Sequence, residues 1–361
     1  MSKGLNNIGN TCYLNAGLQM LLQNKDFCKR ILENKEISQN LEIMSQFINN
    51  YYDSSNKSII PDKIKRLVER VKPIFRGSKQ HDSEEFIISL IEILNNDIVL
   101  NTINKQNNLI LQNLNMIQNN NLIEKFKSDT IRITLDFTNN RITFEKLLQL
   151  INNYRKDLCN ELNNPNFTNF ISELDPNENS LKEIFEFEIQ KRIKCKEIHC
   201  LNTRFVFTKE ILLTLPINEE NSNLDECYHD FKVHELLTGD EMVECEKCAK
   251  KQVTSTKINI RSWPKNLIIC LNRYKNSKQT NNVSSKINKD IMIPFNWRHD
   301  YKLRGAVVHS GQIGGGHYIY IGRNINANNW TIYDDSSASQ IINNDRAQQY
   351  LNKAYIFYYS Q

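Results

Sequence analysis

Several things are scarce in this chain of 361 residues. It carries 11 glycines and 7 prolines, too few for a collagen-like or linker-dominated architecture. No apolar run approaches the roughly 18 residues expected of a membrane span. Residues 1–10 lack the charged-then-apolar order of a secretory signal. Charge of one sign is scarce too: 46 Lys+Arg against 41 Asp+Glu leave +5, too small an excess to imply a nucleic-acid or membrane partner. No internal repeat is visible.

Other features are plentiful. Hydrophobic residues at 40% and charged residues at 24% match globular averages and allow a sizeable core. Asparagine makes up about one residue in seven, a background bias expected on solvated surface and loops. The nine cysteines are an odd set in a chain longer than most secreted disulfide scaffolds. Free, metal-bound or catalytic thiols in a reducing compartment, cytoplasmic or nuclear, are expected.

Leu14, Leu18, Leu21 and Leu22 share one face of a helix that begins near Thr11 or Cys12. A helix from Pro61–Asp62 carries Ile64, Leu67, Val68 and Val71 and ends at Pro73. Residues 83–94 predict another, with Asp82 or Ser83 as its cap and Glu84 and Glu85 suited to its first turn. Residues 95–180 are Asn-rich with Ile and Leu at mixed spacings, a partly helical insertion. From Leu181 onward β-branched and aromatic residues predict strands, broken by a polar loop at 276–289 and a glycine-rich one at 311–316. Helices first and strands afterwards argue for an α+β fold.

Three segments carry chemistry. Gly4-Leu5-Asn6-Asn7-Ile8-Gly9-Asn10-Thr11-Cys12-Tyr13-Leu14-Asn15 puts a cysteine at a helix start, where free N–H groups and the positive dipole end favour thiolate. A buried structural cysteine would read the same way in isolation. In His309-Ser310-Gly311-Gln312-Ile313-Gly314-Gly315-Gly316-His317-Tyr318 an imidazole follows a glycine-rich loop. A cysteine nucleophile needs such a neighbour to take and return its proton; a hairpin with two ordinary histidines is the plain alternative. Trp330-Thr331-Ile332-Tyr333-Asp334-Asp335-Ser336 offers carboxylates able to orient an imidazole, or a solvated turn.

Together, in this order, these segments resemble the ubiquitin-specific protease family. Gln80-His81-Asp82-Ser83-Glu84-Glu85-Phe86 is similar to the family's Gln-Gln-Asp box, with His81 in place of its second Gln, and Leu271-Asn272-Arg273-Tyr274 is similar to its Leu-x-Arg-Phe strand. The resemblance implies a papain-like cysteine peptidase core in one catalytic domain. A thumb would cover about 1–94, the insertion 95–180, fingers 181–265 and a palm 266–361. It implies Cys12 as nucleophile, His317 as general base and acid, Asp334 as its orienting carboxylate with Asp335 assisting, and Asn7 as oxyanion donor. Asp82, Glu85 and Tyr318 would line a channel for the substrate's C-terminal tail, bordered by the 276–289 and 311–316 loops. His309 competes with His317, and the family places the catalytic imidazole after the glycines.

Cys245-Glu246-Lys247-Cys248 is a C-x₂-C knuckle of the kind that supplies half of a thiolate zinc site. Its upstream partner is irregular: Cys195 and Cys200 stand in C-x₄-C spacing, and His199 offers a C-x₃-H alternative. The resemblance implies structural Zn²⁺ on Cys195, Cys200, Cys245 and Cys248, and no catalytic cofactor; a finger that has lost its metal is the alternative. Cys227, His229 and His234 read as surface or packing residues, and Cys28, Cys159 and Cys270 as structural.

The expected function is deubiquitination by a thiol protease, with ubiquitin or ubiquitinated proteins as partners, no nucleic acid or membrane, and a monomeric state. A non-catalytic ubiquitin-binding module, the same chemistry on a ubiquitin-like modifier, and a zinc-ribbon nucleic-acid binder are the rival readings. The last fits poorly with the absence of dense basic–aromatic stretches.

Overall fold

A computed structural model of the chain describes residues 3–53, 58–139, 141–200, 202–276, 283–312, 315–324, 329–341 and 343–361. Strand β1 (Gly4–Leu5) pairs in parallel with β2 (Ser58–Ile59). Between them lie α1 (Cys12–Leu22), α2 (Lys25–Glu33) and α3 (Gln39–Tyr52), and after them α4 (Asp62–Val71). Every residue of α1 is buried, so it forms the centre of the helical layer. Asn24, where the leucine periodicity loosens, caps α2 by accepting from Phe27 N at 2.8 Å.

Helix α5 (Ser83–Ile117) starts at its expected cap, with Asp82 Oδ1 accepting from Glu84 N at 2.6 Å. It then runs on far past Leu94. Ile98, Val99, Ile103, Ile110 and Leu114 continue its buried stripe. Ile98 still belongs to the main core, while Val99, Ile103, Ile110 and Leu114 pack against α6 (Asn120–Thr138), α7 (Phe144–Leu162) and α8 (Pro165–Ser172) in two small apolar clusters. Asparagines serve these helices at their ends: Asn119 and Asn164 cap α6 and α8, and Asn163 takes a left-handed φ of 45° after α7. By length and composition α5 would suffice to cross a membrane, although Glu92 and Asp97 break it into short apolar runs as the sequence reading has it; 61% of its most apolar window is buried inside the protein.

The strands follow. They are β3 (Phe187–Cys195), β4 (Thr203–Glu210) and β5 (Leu213–Pro216), then α9 (Leu224–Phe231), β6 (Glu235–Leu237), β7 (Val243–Cys245), β8 (Lys250–Gln252), β9 (Thr254–Ser262) and β10 (Asn266–Asn272). Beyond these come β11 (Tyr274–Asn276), β12 (Val283–Lys286), β13 (Asn296–Trp297), β14 (Tyr301–Gln312), β15 (Gly315–Asn324), β16 (Asn329–Asp334), β17 (Ser337–Ile341), α10 (Asn344–Leu351) and β18 (Ile356–Ser360). The large sheet has the order β17-β16-β15-β14-β18-β10-β5, antiparallel except for the β10–β5 pair.

Alternation along its strands splits two cores. Ile268, Cys270 and Val307 face α1 and α5, while Leu267, Ile269, Leu271, Ala306 and Val308 pack on the other face with α9 and α10. A second sheet, β4-β3-β9-β6, carries the β7–β8 hairpin near its end.

Candidate active site and metal centre

Cys12 is the first residue of α1 and is buried. The turn before it is organised by one side chain. Asn7 Oδ1 accepts from Gly9 N at 3.1 Å, Thr11 N at 3.1 Å and Thr11 Oγ1 at 3.2 Å. The turn needs positive φ at two successive residues, 108° at Gly9 and 52° at Asn10, which glycine and asparagine adopt most readily. Asn10 Nδ2 donates to Ser78 O at 2.8 Å and fastens the segment that carries Gln80. The Gln80 amide reaches both sides of the site: Nε2 lies 3.1 Å from Cys12 Sγ and 2.6 Å from Gly316 O.

Gly316 immediately precedes His317 on β15. His317 Nε2 lies 2.6 Å from Asp334 Oδ1, at the end of β16. The next residue, Asp335, turns the chain with φ 47°. Its carboxylate points to the helical layer: Oδ1 accepts from Asn15 Nδ2 at 2.7 Å and Oδ2 from Asn7 Nδ2 at 2.9 Å. Its carbonyl accepts from Leu5 N at 2.7 Å, and Asn15 Nδ2 also donates to Leu5 O at 3.1 Å. Gly4 leaves room for this docking, since a Cβ there would overlap the Ser336 carbonyl. One polar network therefore joins the turn before Cys12 to the strand end beside His317.

The expected channel residues differ in setting. Asp82 is occupied by capping α5 and by accepting from Tyr355 OH at 2.9 Å. Burial pushes its carboxyl above the usual range, while hydrogen bonds from Glu84 N, Tyr355 and Tyr318 pull the other way. Glu85 is exposed. Tyr318 is buried and stacks on His309, with ring centroids 4.4 Å apart. His309 is buried, and Lys286 Nζ sits 3.1 Å from its Nδ1 and 2.6 Å from its carbonyl. Burial, then the charges of Lys286 and His317, hold this imidazole down to about 4. His81 fills an aromatic slot, edge-on to Tyr13 and Phe75 at 5.5 and 5.1 Å. Residues 277–282 and 313–314 of the two loops expected to border the channel lie outside the described residues.

Cys195, Cys200, Cys245 and Cys248 come together, their sulfurs all within 4.8 Å of one another. Cys200 and Cys245 Sγ are 3.5 Å apart, near the ~3.8 Å edge of a tetrahedron with ~2.3 Å metal–sulfur bonds. Cys195 ends β3 and Cys245 ends β7. The long C-x₄-C loop is closed by Cys195 N donating to Asn202 O at 2.8 Å. In the knuckle, the amides of Cys248 and Ala249 both reach Cys245 O, and Ala249 takes φ 51°. Within this mutually hydrogen-bonded set, backbone donors led by Cys248 N pull the Cys245 thiol down, whereas neighbouring sulfurs push Cys248 up. The four thiols can hold a metal ion. His199 is outside the cluster, Cys227 lies on the buried face of α9, and His229 is exposed. Cys270 is buried and donates to Glu84 Oε2 at 2.8 Å.

Gln80 and Asn15 are the site residues that sequence reasoning left without roles. Both stood inside recognised segments, but a single amide has no spacing rule that marks it.

A helical layer bearing a thiol at a helix start, set against an antiparallel sheet bearing an imidazole–carboxylate pair, defines a papain-like α+β fold. The family model described as ubiquitin carboxyl-terminal hydrolase matches residues 3–359, and the chain belongs to that family. It is similar to ubiquitin carboxyl-terminal hydrolase 4 of Vanderwaltozyma polyspora, 25% identical over 401 residues that cover 99% of this chain and 40% of that protein. It is also similar to ubiquitin carboxyl-terminal hydrolase 2 of Bos taurus, 24% identical over 379 residues, 99% and 54% of the two chains. The chain thus spans about half or less of these relatives' length. Among solved structures, the SAGA DUB module of Ubp8, Sgf11, Sus1 and Sgf73 bound to monoubiquitin matches with a TM-score of 0.64 at 18% identity, covering 99% of this chain and 68% of that one. The same module bound to ubiquitin aldehyde matches with a TM-score of 0.60 at 18% identity, covering 99% and 69%. These two likenesses bear on the fold.

Proposed function

We propose that the protein is a deubiquitinating cysteine peptidase that hydrolyses the peptide or isopeptide bond after the C-terminal glycine of ubiquitin. The observation that carries this reading is the His317–Asp334 pair at 2.6 Å, tied through Asp335 and Asn7 to the turn that presents Cys12, in a chain of this family. Ubiquitin as partner is supported by the matched modules bound to monoubiquitin and ubiquitin aldehyde.

Each group then has a task. Asp334 holds His317 by Nε2, which leaves Nδ1 to take the Cys12 proton. The thiolate attacks the glycine carbonyl. One Asn7 N–H is fixed on Asp335, and the other, with the Cys12 backbone N–H, receives the developing oxyanion. His317 returns its proton to the leaving lysine amine, and water, with His317 as base, then hydrolyses the thioester. Asp82, Glu85 and Tyr318 contact the substrate's C-terminal tail. His309, neutral and packed under the loop, supports it.

Cys195, Cys200, Cys245 and Cys248 fit structural zinc, and when bound the metal crosslinks the far end of the β4-β3-β9-β6 sheet without entering the reaction. The nine free thiols support work in a reducing compartment, cytoplasm or nucleus.

Ubiquitin bearing a C-terminal vinyl-type electrophile tests the reading. The expected product is a one-to-one adduct on Cys12; folded protein that stays unlabelled would instead be a non-catalytic ubiquitin binder.

A further inference from the structure

The Gln80 amide makes an unusual pair of contacts, and the mechanism above does not use it. Its Nε2 donates to Gly316 O at 2.6 Å and also lies 3.1 Å from Cys12 Sγ. A carboxamide nitrogen has two hydrogens in a fixed fork. With one on the carbonyl, the other is directed at the sulfur. Both anchors are tied into the fold: Gly316 pairs with Gly311 across β14 and β15, and the segment before Gln80 is joined to the Cys12 turn through Asn10 and Ser78. Gln80 itself is only partly buried, so a substrate can reach it.

From this geometry we infer that Gln80 is a further catalytic residue, a side-chain donor to the oxyanion of the acyl-transfer step. The inference rests on the peptidase reading above. When the thiolate attacks, a carbon–sulfur bond forms, the carbonyl π pair moves onto oxygen, and that oxygen stands about 2.7 Å from Sγ, within hydrogen-bond reach of a donor already placed beside the sulfur. The N–H on Gly316 O need not move; the other passes from sulfur to the new oxyanion. As that intermediate collapses the pair returns to the carbonyl, the leaving amine departs with the proton from His317, and Gln80 resumes its contact with sulfur. Asn7, with one N–H committed to Asp335, cannot supply a second hydrogen to the same oxygen, so an additional donor has a place to act.

Gln80→Met keeps length and loses the donor; Gln80→Ala removes the side chain. Both are assayed on a fluorogenic ubiquitin C-terminal amide, alongside alkylation of Cys12 by iodoacetamide, a displacement that forms no oxyanion. The expected result is a fall in kcat of about a hundredfold in both variants, with KM within about twofold and alkylation at the wild-type rate. The inference is overturned by Gln80→Met turnover within about twofold of wild type. It is also overturned by a parallel loss of alkylation, which would make Gln80 a support for the thiol alone, or by a change confined to KM. A wild-type protein with no turnover would sink the peptidase reading itself, and the inference with it.

Discussion

His317 Nε2 and Asp334 Oδ1 stand 2.6 Å apart, whereas His309, eight residues earlier, faces the ammonium of Lys286. A carboxylate at hydrogen-bond distance fixes the tautomer and orientation of a proton-transferring imidazole, a role an ammonium cannot fill. His317→Ala is therefore expected to lower turnover of a fluorogenic ubiquitin amide by at least about a thousandfold. His309→Ala should retain turnover within about tenfold, with its cost falling on stability. The reverse ranking would assign the proton relay to His309.

Asn15 predicts a different kind of loss. Its amide joins Leu5 O to Asp335 Oδ1, and Asp335 in turn holds Asn7. Asn15→Ala leaves a carbonyl and a carboxylate oxygen short of a donor, at a cost of about 1–3 kcal/mol in chemical denaturation. Turnover should fall about tenfold through kcat, because the oxyanion donor loses its anchor. Asn15→Asp sets one carboxylate against another and should be worse on both counts. Unchanged kcat in a folded Asn15→Ala protein would separate this network from catalysis.

His309 carries a pH signature. Its imidazole is held at about 4 in the folded protein against an ordinary 6.5. The unfolded chain binds the extra proton first, so this residue's contribution is full above pH 6.5 and is lost as pH falls toward 4. The buried carboxyls of Asp82, Glu84 and Asp97 are pushed up, so they bind protons more readily when folded and act in the opposite sense. The measurement is therefore a difference: unfolding midpoints of wild type and His309→Gln from pH 7 to pH 4. The wild type should lose more over that range, and parallel curves would remove His309 from the account.

Purified protein should contain about one equivalent of zinc, lost in Cys245→Ser/Cys248→Ser. The thermal midpoint of that variant should fall by on the order of 10 °C, with the Cys12 site still open to alkylation. Protein free of metal and unmoved by a chelator would leave the four thiols as a bare cluster.

The fold was legible where one residue type dominates a local choice. The apolar stripe after Cys12, the Asp82 cap and the β-branched runs after Leu181 each dictate an element, and the helices-then-strands order follows. The stretch beyond Asn95 was not legible, because asparagine favours caps and turns over helix interiors. The buried Val99, Ile103, Ile110 and Leu114 outweigh that preference only once α6 and α7 supply surfaces to bury them. Asn95 shows the mechanism locally: its side chain accepts from Leu181 N and Lys182 N and stitches the two ends of the insertion together. At the site, Cys12, His317 and Asp334 each have a plain structural alternative in isolation, and the resemblance of the ordered segments to the family singles them out. Asn15 and Gln80 become visible only when the sheet brings Asp335 and Gly316 to them.

The most direct test of the central claim is turnover of a fluorogenic ubiquitin C-terminal amide by wild type and Cys12→Ala under reducing conditions. The account predicts steady release of fluorophore by the wild type and none above background by the variant. Wild-type protein that is folded, binds ubiquitin and releases no fluorophore would contradict it, as would a Cys12→Ala variant that still turns over.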